Sequence, residues 1–431
     1  MNHISNNIVK IISFSKIPDL FNPIAGTTYN TMSGSGFIIN NNGYIITCYS
    51  LIKYSKNIVV IFSNNINTFN AVIVSICPEK NIVLLKINYS NNYPILLLGD
   101  SDESNIGDII SINFFNNNIE VVNSKIIYCS RFFYTDTPFY DMLCGAPVFN
   151  SNNRVIGIVT KKTFGYAKFL PIIELVSILT ELFNDKIVFE PNIFVDFVHK
   201  PNQPGCIINK INDISPFKNI HIESGDILLE INNHPITDKG YCVFPDNKNI
   251  HIRHYLKRLN SNDNIKIKYL SKSNNKYKSA KIKLSNNSIL KINYLPFSLY
   301  NLNYEIFGGI VFMELKMDHI YHDHIGKKII KNFNYSSITE SKVFISHIFD
   351  GFFINKIKLE IGDIIHHING LKINYIDDFR KSINGCILIN GNLCININIF
   401  KKGEFVLKLN DLLFNDKKLS KIYNYNISNL Y

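Results

Sequence analysis

The feature that most constrains this chain is a row of short β-branched segments between residues 31 and 165. GFIINNNGYIIT, NIVVIF, FNAVIVSIC, NIVLLKIN, DIISINFF and VVNSKIIYC are rich in Ile, Val and Phe, and clusters of Asn and Gly bound them. Such side chains suit a pleated, half-buried surface, and Asn42-Gly43 suits a two-residue hairpin turn. Strands at this spacing without helices between them predict a barrel or a sandwich. The period then changes. In Pro171-IIELVSILTELFND, Ile172, Leu175, Val176, Leu179, Leu182 and Phe183 recur at helical spacing, and Pro171 suits a first turn. This predicts a helix that closes a first domain near Asp185.

With 431 residues the chain has room for about three domains. Its 46% hydrophobic and 18% charged residues supply several cores and exclude wholesale disorder. No apolar run approaches the roughly 18 residues of a membrane span. The start, MNHISNNIVKIISFSKIPDL, lacks an apolar region followed by a small-residue cleavage site. An intracellular protein that engages no membrane is the expectation. The net charge of +11 is carried almost wholly by Lys, with Arg only at 131, 154, 253, 258 and 380. The excess of Lys, Asn, Ile and Tyr is spread along the chain, as AT-rich coding in a large DNA virus, a protist or an endosymbiont produces. Without clustering it predicts no specific nucleic-acid partner. Eight cysteines without close pairing or a CxxC predict reduced thiols, with no metal and no cofactor.

Residues 190–290 read as a second β-rich unit and 300–411 as a third. IKIKYLSKSNNKYKSAKIKL alternates apolar residues with Lys around Ser273-Asn274-Asn275, a hairpin with one solvated basic face. Glu223-SGDILLEINNHPI and Glu360-IGDIIHHINGLKI repeat one phrase, so these two units are duplicated domains.

Several phrases in order resemble HtrA/Deg serine proteases. SGSGFIINNNGYIIT is similar to the family's opening hairpin, EKNIVLLKI to the strand bearing its catalytic Asp, and LLLGDSDESNIGDII to its Leu-Gly-Asp-Ser segment. TDTPFYDMLCGAPVFN with RVIGIV is similar to the nucleophile loop and the strand behind it. PGCIINKINDISPF, HPITDKG and YEIFGGIVFMEL resemble the two PDZ domains of the plant, fungal and protist Deg branch. The resemblance implies a mostly β fold: a chymotrypsin-like double β-barrel followed by two PDZ domains. Its segments would be an N-terminal extension over 1–30, the protease-type domain over 31–187, PDZ domains over 190–290 and 300–411, and a tail over 412–431.

The resemblance also locates a site. A serine protease needs a hydroxyl that attacks, an imidazole that takes its proton and a carboxylate that orients the imidazole. Here Ser50 stands at the His position, Asn81 at the Asp position and Cys144 at the nucleophile. Met142, with Cys144, occupies the oxyanion-hole position, where the family has a Gly. Phe114-Phe115-Asn116-Asn117-Asn118 replaces a Gly-x-Pro-x-Gly loop. After His3 the next histidine is His199, so no imidazole lies between them to activate a thiol.

The PDZ resemblance implies carboxylate loops near Phe194, Val195 and Asp196 in the first domain and Gly308, Gly309 and Ile310 in the second. A PDZ groove adds an extended peptide to a sheet edge. The glycines favour the second domain as the better binder, since Asp196 is negative and the first loop lacks a Gly. Assembly from trimers is implied too, with the aromatic stretch Phe14 to Tyr29 at the contacts. Three clusters take bland readings: Asp318 to His324 as a polar loop, His366-His367 as strand residues on opposite faces, and Cys48 with Cys144 as two free thiols. Three functions stay open: a pseudoprotease scaffold that binds peptides or proteins, a divergent serine- or cysteine-type endopeptidase with Cys144 as nucleophile, and a structural particle protein of a large DNA virus.

Overall fold

The computed structural model describes all residues except 1, 64–67, 89–94, 164, 246–247, 262, 287–291, 293, 295–301, 323–324, 333–339, 352–357 and 428–431. The chain divides into two compact units, Met1–Ser15 with Asn30–Ser288, and Lys16–Tyr29 with Ile289–Tyr431.

The first unit holds two closed six-stranded barrels. One is formed by β1 (Ile8–Pro18), β2 (Thr27–Ile38), β3 (Tyr44–Cys48), β4 (Ser55–Phe62), β5 (Thr68–Cys77) and β6 (Ile82–Ile87), in the order β1-β2-β3-β6-β5-β4. The other is formed by β7 (Ile109–Phe115), β8 (Ile119–Cys129), β9 (Phe133–Pro138), β10 (Pro147–Phe149), β11 (Val155–Thr163) and β12 (Tyr166–Pro171), in the order β10-β11-β12-β9-β8-β7. Closure leaves no free edge to satisfy. The β2–β3 hairpin turns where the sequence predicts it. Asn40 Oδ1 accepts from the N–H groups of Asn42 and Tyr44, and Gly43 takes φ +78°. The stretch set aside as an N-terminal extension is not one. Residues 9–15 pair with β4 and close the first barrel, because VKIISFS alternates buried with more exposed positions like any barrel strand.

The predicted helix after Pro171 is two short ones, Ile172–Val176 and Leu179–Asn184. The backbone breaks at Ser177-Ile178, which buries Ile178 and leaves Val176 and Phe183 exposed. Beyond it lies an antiparallel sheet in the order Val195–Val198, Cys206–Ile211, Ile227–Ile231, Asn264–Ser271, Lys276–Lys283. The Lys-rich phrase forms the last hairpin, with Ile265, Ile267 and Tyr269 inward and the lysines outward.

The second unit carries a sheet in the order Tyr304–Phe307, Ile310–Glu314, Val343–Ile348, Ile364–Ile368, Asn392–Ile399, Ile387–Ile389. Residues 412–425, expected as part of a tail, pack into the unit. Helix Leu409–Tyr423 buries Leu412 and Leu419 in this unit's core, and Tyr425 follows them. The repeated phrases build the same turn twice. Gly225 and Gly362 take φ of +99° and +92°, and Asp226 and Asp363 accept from the N–H of Glu223 and Glu360 at 3.0 and 2.9 Å. Both sheets are of the kind found in PDZ domains.

Candidate functional site

The chain brings Ser50, Asn81 and Cys144 together. Ser50 lies in the single helical turn Tyr49–Ile52 after β3, and Asn81 ends the turn that leads into β6. Asn81 takes φ +58°, a left-handed conformation that Asn tolerates better than most residues. Its Oδ1 accepts from the Ser50 N–H at 2.7 Å, and its Nδ2 donates to Ser50 Oγ at 3.1 Å and to the Thr160 carbonyl at 3.2 Å. Ser50 Oγ lies 3.9 Å from Cys144 Sγ. The three side chains thus bring a thiol, a hydroxyl and an amide into one cluster. Among the described residues no histidine hydrogen-bonds any of the three.

The turn before the thiol is closed on itself. Asp141–Leu143 forms one 3-10 turn, in which the Cys144 N–H donates to the Asp141 carbonyl at 3.0 Å and the Leu143 N–H to the Tyr140 carbonyl at 2.9 Å. The Cys144 amide is therefore not aimed at a developing oxyanion. The Met142 carbonyl accepts from Ser35 Oγ at 2.7 Å, and Ser35 Oγ accepts from the Phe115 N–H at 2.9 Å, which fixes the loop against β2 and β7. Asn116 to Asn118 form a tight turn between β7 and β8, with the Asn116 N–H donating to the Asn118 carbonyl.

Two thiols meet at the Thr160 carbonyl. Cys48 Sγ donates to the Val159 carbonyl at 3.1 Å and reaches Thr160 O at 3.7 Å, and Cys144 Sγ reaches Thr160 O at 3.6 Å. A hydrogen bond with Cys48 holds the Cys144 thiol below its ordinary range; Ser50 helps, and burial and the Asp141 carboxylate oppose. Cys48 is pushed well above that range, by burial first and then by Cys144. The Thr160 hydroxyl is buried without a hydrogen-bond partner among the described residues. No sequence signal marks it.

Sequence reasoning also missed a buried ionic cluster one residue from Asn81. Lys80 and Glu174 are both fully buried and lie 3.2 Å apart, and Arg131 reaches Glu174 through Nη2 at 3.0 Å. Lys80 Nζ also donates to the Lys257 carbonyl at 2.5 Å, and Glu190 pairs with Arg131 and Lys257. Burial alone would raise Glu174, but Lys80 and Arg131 hold its carboxyl below the usual range. The cluster anchors the turn that presents Asn81.

The two candidate peptide loops differ from expectation. Phe194 is buried in the left-handed region at φ +52°. Its N–H donates to Asn192 Oδ1, and its carbonyl accepts from the Asn212 N–H. Val195 and Asp196 begin the terminal strand of the first PDZ-like sheet, and no strand pairs with its outer edge among the described residues. In the second unit, Gly308 and Gly309 take φ of +62° and +82° as a two-residue turn, so Tyr304–Phe307 folds back onto Ile310–Glu314 and covers its edge. The Gly309 N–H is already taken by Asp416 Oδ1 at 3.0 Å, and Asn415 Nδ2 donates to the Gly308 carbonyl at 2.7 Å. The glycines thus make a hairpin, with the Gly309 N–H occupied, where the resemblance implied a carboxylate loop.

The remaining clusters resolve simply. His319 is buried, with Nδ1 accepting from the Lys316 N–H and Nε2 lying 3.0 Å from the Leu20 carbonyl, while His322 packs on Phe21. Asp323 and His324 lie outside the described residues. His366 and His367 do not face opposite ways. A register shift at Ile365/His367 brings their Nδ1 atoms to 3.1 Å. Phe21 is no interface anchor, because it is buried in the second unit's core against His319 and Phe344.

Two closed barrels of this order define a chymotrypsin-like double barrel. The description of a trypsin-like peptidase domain matches residues 34–158. A probable periplasmic serine endoprotease, DegP-like, from Rickettsia conorii is 26% identical over 234 residues, covering 47% of this chain and 46% of the relative. Its Rickettsia prowazekii counterpart is 32% identical over 159 residues, covering 33% and 31%. The chain thus spans about half or less of the length of these curated relatives. Among solved structures, the HtrA-type protease AlgW with decapeptide matches with a TM-score of 0.50 at 17% identity, over 66% of this chain and 97% of that one. These likenesses support an HtrA/Deg-type family for the chain.

Proposed function

We propose that the chain is an HtrA/Deg-like pseudoprotease, a scaffold that binds extended polypeptide at the free edge of its first PDZ-like sheet. The observation that carries this reading is Ser50 beside Cys144, with Asn81 bonded to it. A hydroxyl is not a base near neutral pH, so it cannot draw the proton from a thiol as a substrate arrives, and an amide cannot stabilise a cation beside it. The inward Cys144 N–H supports the same reading, since a hydrolase needs that donor for the tetrahedral intermediate.

Binding needs no such chemistry. A peptide that adds a strand to Val195–Val198 would use main-chain hydrogen bonds, with Phe197 and Val198 offering apolar contact. The decapeptide in the AlgW structure supports peptide recognition by a protein of this fold. Exposed Phe14 and Tyr29 leave aromatic surface for assembly into trimers, which is part of the proposal. Light scattering that gives a strict monomer at micromolar concentration would remove that part.

The deciding experiment uses the full chain. Incubated with unfolded casein it should release no fragments; turnover abolished by Cys144→Ala would make it an endopeptidase. Peptides enriched from a display pool should slow hydrogen exchange at residues 195–198 and leave 304–314 unchanged. Enrichment of no peptide sinks the binding half of the reading.

A further inference from the structure

The thiol at the cleft has a chemistry that hydrolysis does not use. A Cβ placed on Gly145 would fall 2.1 Å from the Ser35 carbonyl oxygen and 2.3 Å from Thr47 Oγ1, so the backbone beside Cys144 is pressed against β2 and against the side chain of Thr47, the neighbour of Cys48. Both sulfurs reach the same Thr160 oxygen, Cys48 at 3.7 Å and Cys144 at 3.6 Å. Their access differs. Cys48 is fully buried at the end of β3, whereas Cys144 is half-buried beneath the exposed Ser50. One thiol can therefore meet a small solute while the other waits behind it.

We propose that Cys144 and Cys48 form a two-thiol oxidation site that takes a small hydroperoxide and closes to a disulfide. In the first step the Cys144 sulfur attacks the nearer peroxide oxygen. An S–O bond forms, the O–O bond breaks, and the departing oxygen takes the thiol proton and leaves as water or an alcohol. In the second step the Cys48 sulfur attacks the resulting sulfenic acid. An S–S bond forms, the S–O bond breaks, and the hydroxyl leaves as water with the Cys48 proton. Two thiols are oxidised and one peroxide is reduced.

The remaining cysteines frame the selectivity. Burial pushes the Cys129 and Cys206 thiols up to about 11 and Cys242 up to about 12. A protonated thiol is a poor nucleophile, so the first attack, on peroxide, falls to Cys144; Cys48 is raised too, and what fits it for the second step is its place beside Cys144, not thiolate character. Cys144 alone is held low while lying beside a second thiol. The inference rests on the thiol pair and is independent of whether the barrel cleaves peptides.

The test treats the reduced full chain with hydrogen peroxide, then alkylates and maps peptides by mass. The expected product is one cross-linked peptide pair, 48 with 144, lighter by two hydrogen atoms and restored by dithiothreitol. In Cys48→Ala the sulfenic acid has no partner, so dimedone labelling of Cys144 should rise at least about tenfold over the unsubstituted chain. Cys144→Ala should give neither product. Equal dimedone labelling with and without Cys48, or a cross-link through other cysteines, would overturn the proposal. The unsubstituted chain decides even where a variant fails to fold. Peroxide must remove Cys48 and Cys144 from alkylation in equal amounts, and loss of Cys144 alone would sink the pair.

Discussion

The two PDZ-like regions start from one repeated phrase and arrive at opposite surfaces. Both place a Gly-Asp turn at the same point and anchor an Asn at the end of the strand that follows. Asn232 and Asn369 each accept a backbone N–H, from Lys266 and Asn396. The first region leaves its terminal strand uncovered and is tied to the barrels by buried charge, through Lys80, Glu174, Arg131, Glu190 and Lys257. The second covers the matching edge with its own Tyr304–Phe307. Arg380, on helix Ile376–Ile383, bonds Glu305 at 2.8 Å and the Tyr304 carbonyl at 3.2 Å. The glycine pair of the second region closes a hairpin over that edge, while residues 190–194, which lead into the first region's terminal strand, contain no glycine.

The comparison can be broken where the two regions are held. Glu174→Ala leaves Lys80 buried without its carboxylate and Arg131 with Glu190 alone, so the first unit should lose about 3–5 kcal/mol in a urea titration. Hydrogen exchange in residues 343–348 should not change. Equal loosening of both units would show that the charges do not belong to the first region alone. A somewhat smaller effect comes from His319 in the second unit, whose pKa burial lowers to about 4 from an ordinary value of 6.5. The sign follows. Above pH 6.5 the neutral ring costs nothing, and as pH falls toward 4 the unfolded chain takes a proton that the folded one refuses. The second unit should lose about 3 kcal/mol across that window, and His319→Gln should flatten the loss. A flat pH response with His319 in place would mean the ring is not held as described.

Smaller changes sharpen the contrast. Asp416→Asn weakens the bonds to the Gly309 N–H and the Tyr425 hydroxyl, at about 1–2 kcal/mol by thermal unfolding. It should not confer peptide binding on residues 304–314, because Tyr304–Phe307 still covers the edge. A gain of binding would assign the block to the carboxylate instead of the strand. Arg380→Ala should cost about 1 kcal/mol or less, its ion pair being partly exposed, yet speed hydrogen exchange at 304–307. Unchanged exchange there would leave the Arg380 clamp without an effect.

What the sequence made legible was local. The barrel strands, the Asn42-Gly43 turn and the repeated Gly-Asp phrase depend on period and turn chemistry within a few residues. Ser50, Asn81 and Cys144 could be located because each sits in a phrase with recognisable neighbours. What stayed hidden depended on remote partners. Residues 9–15 belong to the first barrel only because β4 lies alongside them. Asp416 sits in a polar stretch of helix that reads as solvated, and its burial is set by Gly308 and Gly309 far upstream. The inward N–H of Cys144 follows from the backbone of Asp141–Leu143, and no residue type there announces it.

Residues 16–29 belong to the unit whose other residues begin at 289. Phe21 is made more than 300 residues before Phe344 and helix Leu409–Tyr423. On the ribosome, the aromatic ring must wait, solvent-exposed, while the intervening barrels emerge and fold. A pause or a truncation before residue 344 would therefore strand an apolar segment with no home, an evident target for chaperones. Fragments that begin at 289 would lack this ring for the same reason, and would regain it only if the early segment were supplied in trans.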